Sequence, residues 1–249
     1  MKCKTLFISD LHIGSKGFNS NEFMSFIRNI ECDKLVLVGD IIDFWALKRK
    51  IYWPQEHSNV IQKLLKMSKN GTKIVYIPGN HDEVLRDFVD IKLGDNLSLE
   101  LTHTHTTVTG EKLLCIHGDE FDVIIKNHKI LTYLGDLGYN MIMRINPIVR
   151  RFRKLLGYRT HWSFSGYVKK KVKEKIKLMS NFEVVLSSLA VKKKCDGVIC
   201  GHTHIPQITK SQGVTYYNTG DWVDSCTFLI EKFNGELELV EWLKWKYES

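Results

Sequence analysis

The sequence has no apolar run near the roughly 18 residues that a membrane-spanning helix needs. It also has no signal-peptide pattern, because the short apolar stretch of MKCKTLFISD runs straight into Ser9 and Asp10. The chain is therefore expected in the cytoplasm. There is no CxxC pair. The six cysteines (Cys3, Cys32, Cys115, Cys195, Cys200 and Cys226) are scattered, several within apolar runs, and read as buried free thiols of a reducing compartment. No internal repeat, low-complexity tract or Pro/Gly linker marks a flexible boundary. With 43% hydrophobic and 26% charged residues, the composition excludes a disordered, collagen-like or coiled-coil chain. At 249 residues the chain suits one α/β or β-rich domain with a smaller insertion, large enough to need no disulfide staples.

Acid is nearly missing from one stretch. Between Arg144 and Lys194 there are fifteen bases and two acids, Glu174 and Glu183, giving +13. The remaining residues hold 21 bases and 26 acids, giving −5. One fifth of the chain thus accounts for the net charge of +8. A solvated helical face is the plain reading of such a block, but asymmetry this large favours an anionic partner: lipid headgroups, nucleic acid or a phosphorylated substrate.

Five short apolar runs read as buried strands: KTLFIS, LVLVGD, KIVYIPGN, LLCIHGD and GVICGH. Each is closed by Gly, Asp, Asn or His, which places function at its carboxyl end. Residues 21–29 and 60–67 repeat apolar residues at helical spacing, with Gly71 as a stop for the second. THTHTTVTGEK predicts a hairpin turning at Thr109-Gly110, and VTYYNTG, CTFLIEKF and LELVEW predict a strand meander with an Asn234-Gly235 turn. The stretch 121–194 lacks strand alternation and reads as a helical cap inserted between the fourth and fifth strands of a single domain, 1–249.

The residues at the strand ends carry the chemistry. They are Asp10 and His12 in SDLHIG, Asp40 and Asp43 in GDIIDFW, Asn80, His81 and Asp82 in GNHDE, His117 in HGDEFD, and His202 and His204 in GHTH. These hard and borderline donors suit manganese, iron, zinc or magnesium. Strand periodicity of two would put both members of a DxH or HxH pair on one side. A single such pair is a weak signal, but five short motifs, all at the ends of predicted strands, are together a strong one.

The order DxH, GDxxD, GNHD, HGD, GHTH resembles the calcineurin-like metallophosphoesterases. That resemblance implies an α+β (αββα) fold, a two-sheet β-sandwich flanked by helices, with a two-metal centre at one edge. By position, Asp10, His12 and His204 would hold the first metal and Asn80, His117 and His202 the second, with Asp40 bridging. Every ligand position is filled, unlike in scaffold relatives with eroded ligands. His81 resembles the histidine that donates to the phosphoryl group or protonates the leaving oxygen. Asp43 resembles the carboxylate that orients it, or serves as a helix N-cap.

The 121–194 insertion position, together with GDIIDFW, HGDEFD, WSFSGYVKKKVKEKI and YYNTGDWVDSCTFLIE, is similar to the UDP-2,3-diacylglucosamine diphosphatase group. The likeness implies cleavage of a UDP-linked diacyl-sugar pyrophosphate to UMP and a lipid-sugar 1-phosphate in lipid A synthesis, manganese as the metal, and peripheral attachment to the inner face of the cytoplasmic membrane. This chain departs from the best-defined members at His81, where they carry arginine. In the cap, apolar spacings of three and four beside a dense basic face suit an anionic bilayer or a pocket for acyl chains. Ser163, Tyr167 and Lys170 are its candidate phosphate or sugar contacts.

Other residues have plainer readings. Asp119 and Asp122 steady the site or start the cap, His103 and His105 are exposed strand residues, and His128 lies on the cap surface. His161 stays open, and Trp222 is a core residue or rims the site. WLKWKY anchors a partner or a bilayer. The competing functions are a nuclease or nucleotide phosphodiesterase, with the basic block tracking nucleic acid, and a non-enzymatic scaffold. Aliphatic stripes outnumber aromatic ones in the block, which counts against single-strand binding.

Overall fold

The computed structural model describes residues 1–89, 91–92, 94–121 and 182–248. Asp122, His128, His161, Ser163, Tyr167 and Lys170, and most of the expected cap, lie outside the described residues. The chain divides into two compact units, one of residues 1–119 and 183–249, the other of residues 120–182.

The first unit carries all eleven described strands, in two sheets. β1 (Lys2–Ile8), β2 (Glu31–Val38), β3 (Lys73–Ile77) and β4 (Leu97–Leu99) run parallel. β10 (Thr227–Glu231) and β11 (Leu237–Glu241) complete a six-stranded sheet in the order β11-β10-β1-β2-β3-β4. The second sheet holds β5 (His103–Thr106), β6 (Lys112–Cys115), β7 (Gly197–Cys200), β8 (Gln207–Ser211) and β9 (Val214–Asn218), in the order β5-β6-β7-β9-β8. The described helices are α1 (Ser20–Arg28), α2 (Phe44–Arg49), α3 (Gln55–Lys69), α4 over residues 182–192 and α5 (Trp242–Glu248).

Period-two alternation divides the central strands between two cores. Phe7, Val36, Val38, Val75 and Ile77 face one core with Leu113, Cys115 and Ile199 of the other sheet. Leu6, Ile8, Leu35, Leu37 and Ile74 face the other core, under α1 and α3. Both faces of these strands are buried, so their sequences read as continuous apolar runs. α1 contributes Phe23, Phe26 and Ile27, and α3 contributes Val60, Leu64 and Met67, at the three-and-four spacing of an amphipathic helix. α3 ends at Asn70, followed by Gly71 at φ +101°.

The α+β sandwich matches the expected class. Both expected hairpins form: β5–β6 is antiparallel through the turn at Gly110, and β10–β11 through Gly235. The meander needs correction, because β9 pairs with β7 and β8 in the other sheet rather than with β10. The WLKWKY run forms a helix. It is α5, with Trp242 buried against Phe26, its indole N–H donated to Glu22 at 3.0 Å, and its ring stacked on Trp245. Trp222 is fully buried, edge-on to Phe23, and belongs to the core.

Candidate metal centre

The predicted ligands gather where the parallel strands of both sheets end, the usual place for a site in a sheet of this kind. Asp10 and His12 follow β1, Asp40 and Asp43 follow β2, and Asn80 and His81 follow β3. From the other sheet, His117 follows β6, and His202 and His204 follow β7. The backbone is not extended there. Asp10, His12, Asp40, His202 and His204 all have φ between 53° and 68°, in the left-handed region that side chains other than glycine occupy at a cost. The ligand pairs therefore face one way because each sits on a left-handed turn. Strand periodicity, the expected reason, stops at Ile8 and Cys200. The glycines preceding the ligands are fixed by crowding: a Cβ at Gly39 would strike the His117 ring, and one at Gly201 would strike the Asp10 carboxylate.

Ligand atoms of Asp10, His12 and His204 lie within 4.8 Å of one another, and so do those of Asp40, His117 and His202. Asp40 Oδ2 is central, 3.3 Å from His117 Nε2 and 4.0 Å from Nε2 of both His12 and His81. His204 Nε2 is 3.2 Å from Asp10 Oδ1 and 3.4 Å from His12 Nε2. Each of these three histidines is held at its far nitrogen. His117 Nδ1 donates to Val38 O at 2.8 Å, His204 Nδ1 lies 3.4 Å from Asp221 Oδ2, and His12 Nδ1 lies 3.5 Å from Asp43 Oδ2. Such partners fix the tautomer and aim Nε2 inward.

Among the described residues, Asp10 Oδ1, Asn80 Oδ1 and His117 Nε2 are buried and make no aligned hydrogen bond. Buried lone pairs left unmet call for a cation. The electrostatics agree. Burial lowers the His117 pKa, but the Asp40 and Asp10 carboxylates outweigh it and push it up to about 10. His204 is likewise pushed to about 10 by Asp10 and Asp221 against its own burial. Burial would raise Asp40, yet His117 and His12 hold it well below the usual carboxylate range. This cluster draws in positive charge, and divalent metals would compete with protons for the same atoms. The mixed oxygen and imidazole donors therefore fit divalent ions.

Asp43 does both things its sequence position suggested. Its Oδ1 accepts the Ala46 N–H at 2.7 Å, capping α2, and the His81 Nδ1–H at 2.9 Å. His81 packs edge-on to His12 and against the Trp45 ring, with centroids 4.6 and 4.4 Å away.

Three positioning residues had no role legible in the sequence. Asp82 closes GNHD and is fully buried. It accepts from the backbone N–H of Gly79 at 2.5 Å, Ile41 at 2.8 Å and Asp40 at 3.3 Å, and from Tyr76 Oη at 2.5 Å. Asp221 accepts three backbone N–H groups at Oδ1 and turns Oδ2 to His204. The strand-end rule would have found it after β9. His57 accepts the Gly14 N–H at 3.1 Å and so ties down the loop that carries His12. Asp119 receives both its bonds from Arg86 Nη2, at 2.7 and 2.8 Å, which fixes the segment just after His117.

His103 and His105 need correction. His105 is buried, with Nε2 2.8 Å from Glu231 Oε2, and His103 bridges Glu100 and Lys34 at 2.8 and 2.7 Å. They belong to a polar network joining the two sheets, away from the ligand cluster.

The model of the calcineurin-like phosphoesterase family matches residues 3–206. The UDP-2,3-diacylglucosamine hydrolase of Psychromonas ingrahamii is 27% identical over 252 residues, covering 95% of this chain and 96% of that one. The protein of the same name from Aliivibrio fischeri is 27% identical, covering 90% and 92%. Among solved structures, Yfce, a phosphoesterase from E. coli, aligns over 95% of this chain and 98% of its own, with 12% identity and a TM-score of 0.45.

Proposed function

Since the chain belongs to the calcineurin-like phosphoesterase family, and is thereby a metal-dependent hydrolase of phosphoester or pyrophosphate bonds, we propose that its substrate is UDP-2,3-diacylglucosamine. Water is added across the pyrophosphate, giving UMP and the diacylglucosamine 1-phosphate. The observation that carries the hydrolytic reading is the anionic cluster of Asp10, His12, Asp40, His117, His202 and His204, with buried polar atoms of Asp10, Asn80 and His117 left unmet. The substrate is carried by the names and full-length alignment of the two relatives.

In this reading Asp10, His12 and His204 hold one divalent ion and Asn80, His117 and His202 the other, with Asp40 shared; manganese is the proposed metal. When bound, the ions supply a nucleophile from water at neutral pH and neutralise phosphoryl charge. The protein's own groups do the rest. Asp43 fixes His81 through Nδ1, which leaves Nε2 on the cluster side as the donor to a phosphoryl or leaving oxygen. Asp82 holds the backbone around Asp40, and the His81 backbone N–H donates to Asp40 Oδ1 at 2.7 Å, so bridge and donor are set by one small lattice. Ser163, Tyr167 and Lys170 are proposed to contact the sugar phosphate. The basic cap of residues 121–194 is proposed to receive the acyl chains and an anionic membrane, which would make the protein peripheral on the cytoplasmic side.

The test is mass spectrometry of products from manganese-loaded chain and UDP-2,3-diacylglucosamine, with Asp40→Ala as control. UMP and diacylglucosamine 1-phosphate are expected, and both should vanish in the control. Absence of UMP while bis(p-nitrophenyl) phosphate is still cleaved would keep the hydrolase and refute the substrate.

A further inference from the structure

Residues 48–53, Lys-Arg-Lys-Ile-Tyr-Trp, are exposed without interruption. They begin in the last turn of α2, whose N-cap is the carboxylate that holds His81, and run on past its end. Ile51 is 83% exposed, and Trp45, Tyr52 and Trp53 are 38–40% exposed. A single exposed apolar residue is ordinary; four on one short segment are not. No acid occurs between Phe44 and Pro54, and Lys16 adds a fourth cation, its ammonium 5.8 Å from the Tyr52 ring.

The segment is braced. The Tyr52 and Trp53 rings meet His57 edge-on at 5.6 and 5.8 Å, the Trp53 indole N–H donates to Ser58 at 3.0 Å, and His57 in turn accepts the Gly14 N–H. Two amphipathic rings and a bare isoleucine are thus presented on a braced frame, with Lys48, Arg49 and Lys50 next to them in sequence, while at Trp45 the indole N–H is donated to Glu83 at 3.3 Å. Interfacial segments have this chemistry: aromatic rings at headgroup depth, an aliphatic side chain below them, and cations against lipid phosphate. A second copy of the chain is a poor occupant, since it would bring the same cations to the contact on a chain of net charge +8.

We propose that the face formed by Trp45 and residues 48–53 docks on an anionic phospholipid bilayer, independently of the basic cap. This deepens the proposal of a lipid-linked substrate and rests on it. Trp45 packs on His81, so a bilayer seated on this face lies beside the catalytic histidine. A substrate with acyl chains in the membrane and a pyrophosphate at headgroup level would then reach the cluster without leaving the lipid.

The experiment is co-sedimentation of the whole chain with vesicles of phosphatidylcholine, alone or with about one third phosphatidylglycerol. Binding to the mixed vesicles that weakens with salt is expected. At about fivefold per cation near an anionic surface, Lys48→Glu with Lys50→Glu should cut the partition coefficient at least about 25-fold. Ile51→Asp should cut it about tenfold. Neither variant alters the cap or the ligand cluster, so both should hydrolyse bis(p-nitrophenyl) phosphate at the wild-type rate. Failure of the wild-type chain to bind, or undiminished binding by both variants, would overturn the proposal. So would an Ile51→Asp variant that only turns a dimer into a monomer in sedimentation velocity. Vesicle binding that falls in both variants, with no phosphodiester cleaved, would leave this face standing and refute the hydrolytic reading instead.

Discussion

Replacing Asp82 by alanine tests whether the lattice behind Asp40 is what builds the site. The Asp82 carboxylate takes short bonds from Gly79 N–H, Ile41 N–H and Tyr76 Oη, and longer ones from Asp40 and Ile42 N–H at 3.3 and 3.4 Å. Alanine leaves the three short donors buried and unmet, at about 1–3 kcal/mol each. Part of that is returned, because burying the carboxylate is itself unfavourable: burial and the Asp40 charge raise its pKa. The net loss expected is about 3–5 kcal/mol, a large share of the stability of a domain this size. Urea unfolding of the metal-free chain measures it, and calorimetric titration with manganese measures the second consequence. Freed of its anchor, the Gly39–Ile41 backbone shifts and metal affinity should fall about 10- to 100-fold. Tyr76→Phe alone should lose less, and the double variant should reveal a coupling of about 1 kcal/mol or more. A loss below about 1 kcal/mol with unchanged manganese affinity would refute the reasoning.

Asp221→Asn should weaken manganese binding about 10- to 100-fold in the same titration while the fold persists, because only Oδ2 faces His204. Asp43→Asn should lower kcat about 10²-fold or more with little change in KM, as the neutral amide no longer stabilises the protonated His81 ring; steady-state kinetics separate the two. Burial keeps His105 neutral, lowering its pKa against the pull of Glu231 and with the help of Lys34. The unfolded chain therefore takes its proton first, so this contribution is whole above about pH 6.5 and is lost as pH falls below it. Urea melts from pH 7.5 to 5.5 should show a smaller pH-linked loss in His105→Gln than in the wild-type chain. An equal slope in both would exclude the effect.

The central strands were legible because burial on both faces writes an unbroken apolar run, as in LVLV and KIVYI. β8 was not, since QITKS is an edge strand of alternating exposure with mostly polar residues. β9 read correctly as a strand and wrongly as the partner of β10, because turn residues report where a strand stops and not which sheet receives it. The ligands were legible because carboxylate and imidazole at strand ends are rare enough to stand out together. Their left-handed backbones were not, and neither was the true setting of His105. Its partner Glu231 lies 126 residues away, and nothing local distinguishes a histidine met by a buried carboxylate from one facing water. Asp82 and Asp221 act on backbone N–H groups, which carry no residue-type signature at all.

The candidate ligands come from both sheets: Asp10, His12, Asp40 and Asn80 from the loops of one, His117, His202 and His204 from those of the other. Apolar packing between the sheets is non-directional and tolerates a slight slide, whereas shared ions do not. Divalent ions held by these residues would therefore tie one sheet to the other, linking residue 10 to residue 204. Metal bound there would stabilise the folded sandwich as well as serve the reaction.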